Sequence, residues 1–331
     1  MAYKKIEGIK PFNEMHLRSC YYNQLVAAYT AFGLNPKFIA GNYLPLYSFD
    51  SENNILSINC CEIFNEKELC KITGIKINKF EKTDNLEKFV IKQINNQRPV
   101  IVFVDSFYLD YRDDTYKDQH ISHALLIYGY DTTNKIYIVN EHMYMNSYQY
   151  IEKKVSMEML AQAYENFVSG LMVSKYSLFC FSKKNQMQEN GVETIRVGLL
   201  NRRKELIKSK NHFKKGIDHL KICLNDRKKL IVQQDSILSF LGAAKMYKNT
   251  QRNLLGYLFG EEGIYKTADR VMENYTFINA LLFKMKVTEC YNDAAIKKII
   301  SRFDELELLE SELHEWLIQG GGGLIEKNSI S

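Results

Sequence analysis

Several common features are missing from this chain, and each absence narrows what it can be. The N-terminus, Met-Ala-Tyr-Lys-Lys-Ile-Glu, has no apolar centre and no small-residue cleavage site, so no secretory leader is expected. No uninterrupted apolar run reaches the ~20 residues of a membrane-spanning helix. No two cysteines form a C-x-x-C pair, which removes the usual basis of a cysteine-rich zinc site. The seven cysteines (Cys20, Cys60, Cys61, Cys70, Cys180, Cys223 and Cys290) are odd in number, and two are adjacent. Reduced thiols in a cytoplasmic protein are therefore expected, not a disulfide framework. The net charge of +5 is too small to imply nucleic acid by itself. Proline is absent from Glu193 to Leu317.

What is present is ordinary in amount and informative in order. The 331 residues suffice for two domains, and 46% hydrophobic with 25% charged residues suits a folded globular protein. After an irregular lead-in from Pro11, the spacing predicts a helix over Tyr21–Phe32 ending at Gly33, with Ser19 as N-cap. Strands are expected at Ile55–Cys60, Ile72–Phe80 and Pro99–Asp105, and helices near Asn85–Asn95 and Ser156–Val168. Lys175–Ser182 reads as a closing strand. This gives an α+β domain with an antiparallel sheet over 1–185. The proline-free, helically spaced stretch 193–318 is expected to be an all-α helical domain that leaves a homodimer open, and the Gly-rich tail 319–331 to be flexible. No internal repeat is visible.

The centre of the first half is His120-Ile-Ser-His123-Ala-Leu-Leu-Ile-Tyr-Gly-Tyr-Asp131, followed by Lys135-Ile-Tyr-Ile-Val-Asn140. Two β-rich runs flank the turn formers Asp131-Thr-Thr-Asn134, so the segment reads as a hairpin. If Tyr128 faces Lys135, His123 faces Asn140, and an amide beside an imidazole can fix its tautomer. Cys20 in the first turn of the first helix would lie at the positive end of the helix dipole, which lowers a thiol pKa. Cys20, His123 and Asn140 thus form a candidate nucleophile, base and orienting group, with Glu141 or Asp131 as alternatives for the last role. The other six cysteines lie in apolar runs or helices and read as structural. His120, His123 and His142 could suggest a metal, but residues three apart on a strand point to opposite sides. Asp105, Tyr108 and Arg112, in the loop leading to His123, are candidate substrate contacts.

The order Cys20, His123, Asn140 is that of papain-like cysteine enzymes, and the Gly-Tyr-Asp hairpin resembles peptidase C39-like proteins. More of the first half resembles the butirosin biosynthesis protein H N-terminal family. The residues that carry the resemblance are His16-Leu-Arg-Ser-Cys20, Val104-Asp105-Ser-Phe-Tyr108-Leu-Asp-Tyr-Arg112 and His120-x-x-His123 with its Gly-Tyr-Asp. The resemblance implies a papain-like cysteine protease fold that moves an acyl group from an acyl or peptidyl carrier protein onto an amine. Related proteins sit in antibiotic pathways, including the closthioamide type. It also implies no resident cofactor, the phosphopantetheine being carried by the partner. Two departures stand out: Asn140-Glu141 replaces the usual Asp-Pro, and Glu14 stands where an oxyanion-hole glutamine is usual. Asn13 and His16 are the candidate substitutes. A cysteine peptidase or amidase would share the whole site, and a binding protein on a decayed protease fold is a third reading. In the helical half, Arg202–Lys229 holds eleven lysines and arginines against three acidic residues, net +8. Such a face could steer an acidic carrier protein, or simply meet the acidic run Asp304–Glu315 or water.

Overall fold

The computed structural model describes residues 3–14, 19–143, 149–172, 174–184 and 191–321. In chain order its elements are β1 (Tyr3–Lys5), α1 (Cys20–Thr30), α2 (Pro36–Ala40), β2 (Leu44–Asp50), β3 (Ile55–Cys61), α3 (Glu66–Thr73), β4 (Ile75–Phe80) and α4 (Leu86–Asn95). Then come β5 (Val100–Asp105), β6 (Ser122–Asp131), β7 (Ile136–His142), β8 (Tyr150–Ser156), α5 (Met157–Asn166) and β9 (Leu178–Lys183). The last five are α6 (Val192–Asn201), α7 (Arg203–Asn225), α8 (Arg227–Phe259), α9 (Ile264–Thr288) and α10 (Asp293–Ile318). The chain divides into two compact units: residues up to Ala40 with Phe64–Gly191, and Gly41–Ile63 with everything from Val192 on. The architecture is an α+β domain with an antiparallel sheet, followed by helices. None of the described helices is long and apolar enough to cross a membrane.

The first unit is built on one antiparallel sheet in the order β4-β9-β5-β6-β7-β8. The long strand β6 pairs with β5 through its first half and with β1 through its second. The central strands read as continuous apolar runs, without alternation, because both faces are covered: Val100, Ile101, Val102 and Ala124 through Ile127 are all buried. Helix α1 lies against β6, and α5 against β5. Helix α3 starts on a capping box between Asn65 and Glu68 and ends at Gly74, whose φ is +67°. That helix takes Ile72 and Thr73, so the strand expected from Ile72 begins only at Ile75.

The second unit corrects the expected domain boundary. Strands β2 and β3 form a hairpin, but Tyr47, Leu56 and Ile58 belong to the core of the helices, among Phe213, Ile217, Leu220 and Phe240. The hairpin comes so close to α7 that a Cβ on Gly216 would stand 2.6 Å from Leu56 Cδ1. Local β-propensity made the strand visible, whereas its partner surface lies more than 150 residues later in the chain. Within the same unit Lys248 Nζ meets Glu310 Oε2 at 2.8 Å, both side chains fully buried, and Tyr47 donates to Glu310 Oε1 at 2.5 Å. Part of the basic stretch meets the acidic run and part faces solvent. Lys210 pairs with Glu315 and Lys221 with Asp304 and Glu307 of α10, while Arg203, Lys204, Lys208, Lys214 and Lys215 are exposed and make no ion pair among the described residues. The tail from Gly322 lies outside the described residues.

Candidate active site

Cys20 is the first residue of α1, after an extended Ser19 whose side chain makes no capping bond. Its thiol lies close enough to the His123 side chain and the Ala124 backbone N–H for both to lower its pKa. One turn on, Gln24 ties α1 to the sheet. Its Nε2 donates to the carbonyls of Asn140 (2.9 Å) and Ala124 (3.4 Å), and its Oε1 accepts from Asn140 Nδ2 at 2.7 Å. This clamp is fully buried and fixes the height of Cys20 above β6. Gln24 escaped notice in the sequence, although Cys20 and Gln24 are spaced by four and so share a helix face.

Asn140 is therefore not the partner of His123, and the reason is register. Next to the turn, Asp131 opposes Ile136 and Gly129 opposes Ile138; beyond a bulge, Ile127 opposes Val139 and Leu126 opposes Asn140. Tyr128 is the extra residue. Had the turn's register continued unbroken, Asn140 would have opposed Ile127 and shared the face of His123. The bulge moves Asn140 to the opposite face and turns Glu141 toward His123. Gly129, beside the bulge, is needed for space: a Cβ there would lie 2.9 Å from Ile138 Cδ1 and 3.0 Å from the Lys4 carbonyl. Asp131, the other alternative, is used in the turn, where it accepts from Thr133 and Asn134.

Glu141 holds the imidazole. His123 Nε2 is 3.0 Å from Oε1 and 2.9 Å from Oε2, which leaves Nδ1 as the ring nitrogen available to the thiol. The carboxylate also accepts the His142 backbone N–H at 2.6 Å and the Tyr111 hydroxyl at 3.1 Å. Arg112 is bound to Asp114 by two hydrogen bonds (3.0 and 2.7 Å), and its Nη1 stands 3.8 Å from Glu141 Oε1. The same Nη1 is 3.3 Å from His123 Nε2. A guanidinium has only donors and that imidazole N–H is given to Glu141, so Arg112 acts through its charge.

The electrostatics follow from this arrangement. Burial alone would raise the Glu141 carboxyl, but His123 and Arg112 hold it down at about 2. Burial would likewise lower His123, which Glu141 and the thiol instead raise to about 10. For Cys20, burial and the Glu141 charge push the thiol up, and the His123 hydrogen bond and charge with the Ala124 N–H outweigh them, leaving it below the ordinary thiol value. These opposed directions favour a thiolate–imidazolium pair backed by a buried carboxylate. Cys180, shielded in the sheet, is pushed the other way, to about 12.

The remaining expected residues take other places. Both ends of the Asn13 amide are used on the Tyr150 backbone, donating to its carbonyl at 3.0 Å and accepting its N–H at 2.7 Å, so the side chain is pinned to β8 with one Nδ2–H in use. His16 lies outside the described residues. Asp105 is buried, accepting the Phe107 N–H and pairing with His120 Nδ1 at 2.6 Å. Tyr108 donates to Asn166 at 2.9 Å. Asp105 and Tyr108 thus brace the loop that carries Tyr111 and Arg112, and Arg112 supports Glu141 rather than standing open to a substrate. Among the described residues no group of three or more His, Cys, Asp or Glu side chains is placed to hold a metal ion.

Residues 26–142, which include His123, Asn140 and Glu141, match the family model described as Butirosin biosynthesis protein H, N-terminal. This segment is similar to that family. Cys20 stands six residues before the matched segment, and the Gln24–Asn140 clamp ties its helix to the matched β7. No curated protein matches the chain.

Proposed function

We propose that this protein is a cysteine-dependent acyltransferase of antibiotic biosynthesis, built on a papain-like fold, that forms an amide from a carrier-bound thioester and an amine. The observation that carries the reading is the half-buried Cys20 beside the buried His123–Glu141 pair, next to a segment that matches a family described by butirosin biosynthesis. The Cys20 thiolate attacks the thioester carbonyl, and the carrier's phosphopantetheine thiol leaves with the proton of the His123 imidazolium. Neutral His123 then takes a proton from the amine as it attacks the acyl-enzyme. The amide departs, and thiolate and imidazolium are restored. Glu141 keeps its charge throughout and holds the ring in the tautomer whose Nδ1 faces sulfur. No step draws on a resident cofactor. The exposed, unpaired cations of α7 suit an acidic carrier protein, and reversing Lys204, Lys208 and Lys215 together should raise KM and weaken its salt dependence while kcat stays.

The test uses an acyl N-acetylcysteamine thioester without amine, followed by mass mapping. A stable acyl adduct on Cys20, cleared by an amine to give an amide, is the expected result. Rapid hydrolysis with no amide at high amine concentration would replace transfer with the peptidase or amidase reading. Full activity in Cys20→Ala would end the Cys20 nucleophilic scheme, and a wild-type protein with neither adduct nor turnover would leave a binding protein.

A further inference from the structure

One polar atom of the site has no task in the scheme above. Tyr150 opens β8 and is fully buried, yet its hydroxyl has no hydrogen-bond partner among the described residues. A buried hydroxyl left without a partner is unfavourable, so this one stands out. The residue is nevertheless held firmly: its backbone N–H and carbonyl are both taken by the Asn13 side chain, and it pairs with His142 across β7 and β8. Its ring centre is 4.3 Å from that of His142, which in turn is 5.7 Å from His123. The hydroxyl is near enough to Cys20 and Glu141 for their charges to add to burial in raising its pKa, so it remains an O–H donor.

The need for such a donor is visible in the same place. Glu14 stands where a glutamine would serve an oxyanion, the Asn13 amide is used on Tyr150 itself, and the Ala124 N–H is aimed at sulfur. The start of α1 supplies backbone N–H groups and a positive dipole end on one side of Cys20. We propose that the Tyr150 hydroxyl donates the second hydrogen bond to the oxyanion formed when Cys20 attacks the acyl carbonyl, making Tyr150 a catalytic residue. This role rests on the acyl-transfer reading of Cys20. In the step, the Cys20 Sγ–C bond forms as the carbonyl π pair moves onto oxygen; the O–H of Tyr150 points at that oxygen and keeps its proton. Collapse returns the pair to carbon and expels the thiolate.

Tyr150→Phe in the full chain separates this role from a packing role, because two reactions at Cys20 differ in the oxyanion alone. Alkylation by iodoacetamide displaces iodide directly and forms none, whereas acylation by an N-acetylcysteamine thioester must pass through one. The expected result is a loss of ~10²-fold in acylation rate, with alkylation rate and its pH profile within about twofold of wild type. A simple aliphatic aldehyde, which adds to Cys20 as a tetrahedral hemithioacetal, should also bind more weakly to the variant. Equal acylation rates would overturn the proposal, as would a parallel loss in alkylation and acylation, which marks displaced sulfur. Wild-type protein that alkylates at Cys20 but never acylates would overturn the acyl-transfer reading, and this role with it.

Discussion

His123 and Glu141 share a face of the sheet because Tyr128 is bulged out of the ladder between them. That single extra residue decides which of two adjacent polar side chains, Asn140 or Glu141, orients the imidazole, and the two should fail differently when changed. Glu141→Gln keeps the shape but loses the charge that raises His123, so acyl transfer should fall by ~10²–10⁴-fold with the fold retained. Asn140→Ala breaks the Gln24 clamp in a dry interior and should cost ~1–3 kcal/mol of stability, with a smaller effect on rate in the protein that remains folded. Steady-state rates set against urea melts would show the split; an Asn140→Ala protein of normal stability and no activity would restore the amide as the orienting group.

Gly129 should be hard to replace. Gly129→Ala sets a methyl against Ile138 and the Lys4 carbonyl, and should destabilise the first unit by ~1–3 kcal/mol. The Tyr128 bulge lies beside it, so the alkylation rate of Cys20 should fall as well. Unchanged stability and reactivity would show that the ladder can shift at no cost.

Thiol reactivity offers a direct reading of the relay. Cys290 is exposed, but it has no histidine partner among the described residues, whereas Cys20 is half-buried beside an imidazolium. At pH ~6, where an ordinary thiol of pKa ~8.5 is almost wholly protonated, brief iodoacetamide treatment should label Cys20 ahead of Cys290. His123→Ala should reverse that order. Peptide mass mapping gives the ratio, and labelling led by Cys60 or Cys61 would sink the assignment.

Above neutrality the first unit should weaken as His123 loses its proton, and below neutrality the two units should weaken at different points. The folded Glu141 carboxyl sits at about 2, so its contribution is present above the ordinary ~4.3 and is lost as pH falls toward 2. His123 is raised to about 10, so its contribution is full below ~6.5 and is lost as pH rises through 10. In the second unit His314, buried between Ser209 and the Glu310 carbonyl, is lowered to about 4, first by burial and then by Lys248. The unfolded chain takes up that proton first, so the second unit should weaken as pH falls from ~6.5 to about 4, before the first unit does. Hydrogen exchange at stepped pH would resolve the units, and a second unit unchanged down to pH 4 would contradict the His314 account.

Much of this was legible along the chain. The β-rich runs around Asp131–Asn134 gave the hairpin, Ser19 and the apolar spacing after it put Cys20 at a helix start, and the proline-free stretch after Glu193 gave the helices. Each depends on neighbours within a few residues, where side-chain period and turn chemistry act. Turn chemistry placed the hairpin but not its bulge, which answers to the packing of Gly129 against Ile138 and β1 and so exchanged Asn140 for Glu141. The same limit hid the home of β2 and β3, whose apolar faces are covered by helices far along the chain, and the uses of Asn13, Gln24 and Tyr150, whose partners lie more than 100 residues away. Composition and local period determined which elements form and which residue types are available for chemistry. Which of those residues meet was decided by tertiary structure, because strand register and burial depend on surfaces that the chain brings together only when folded.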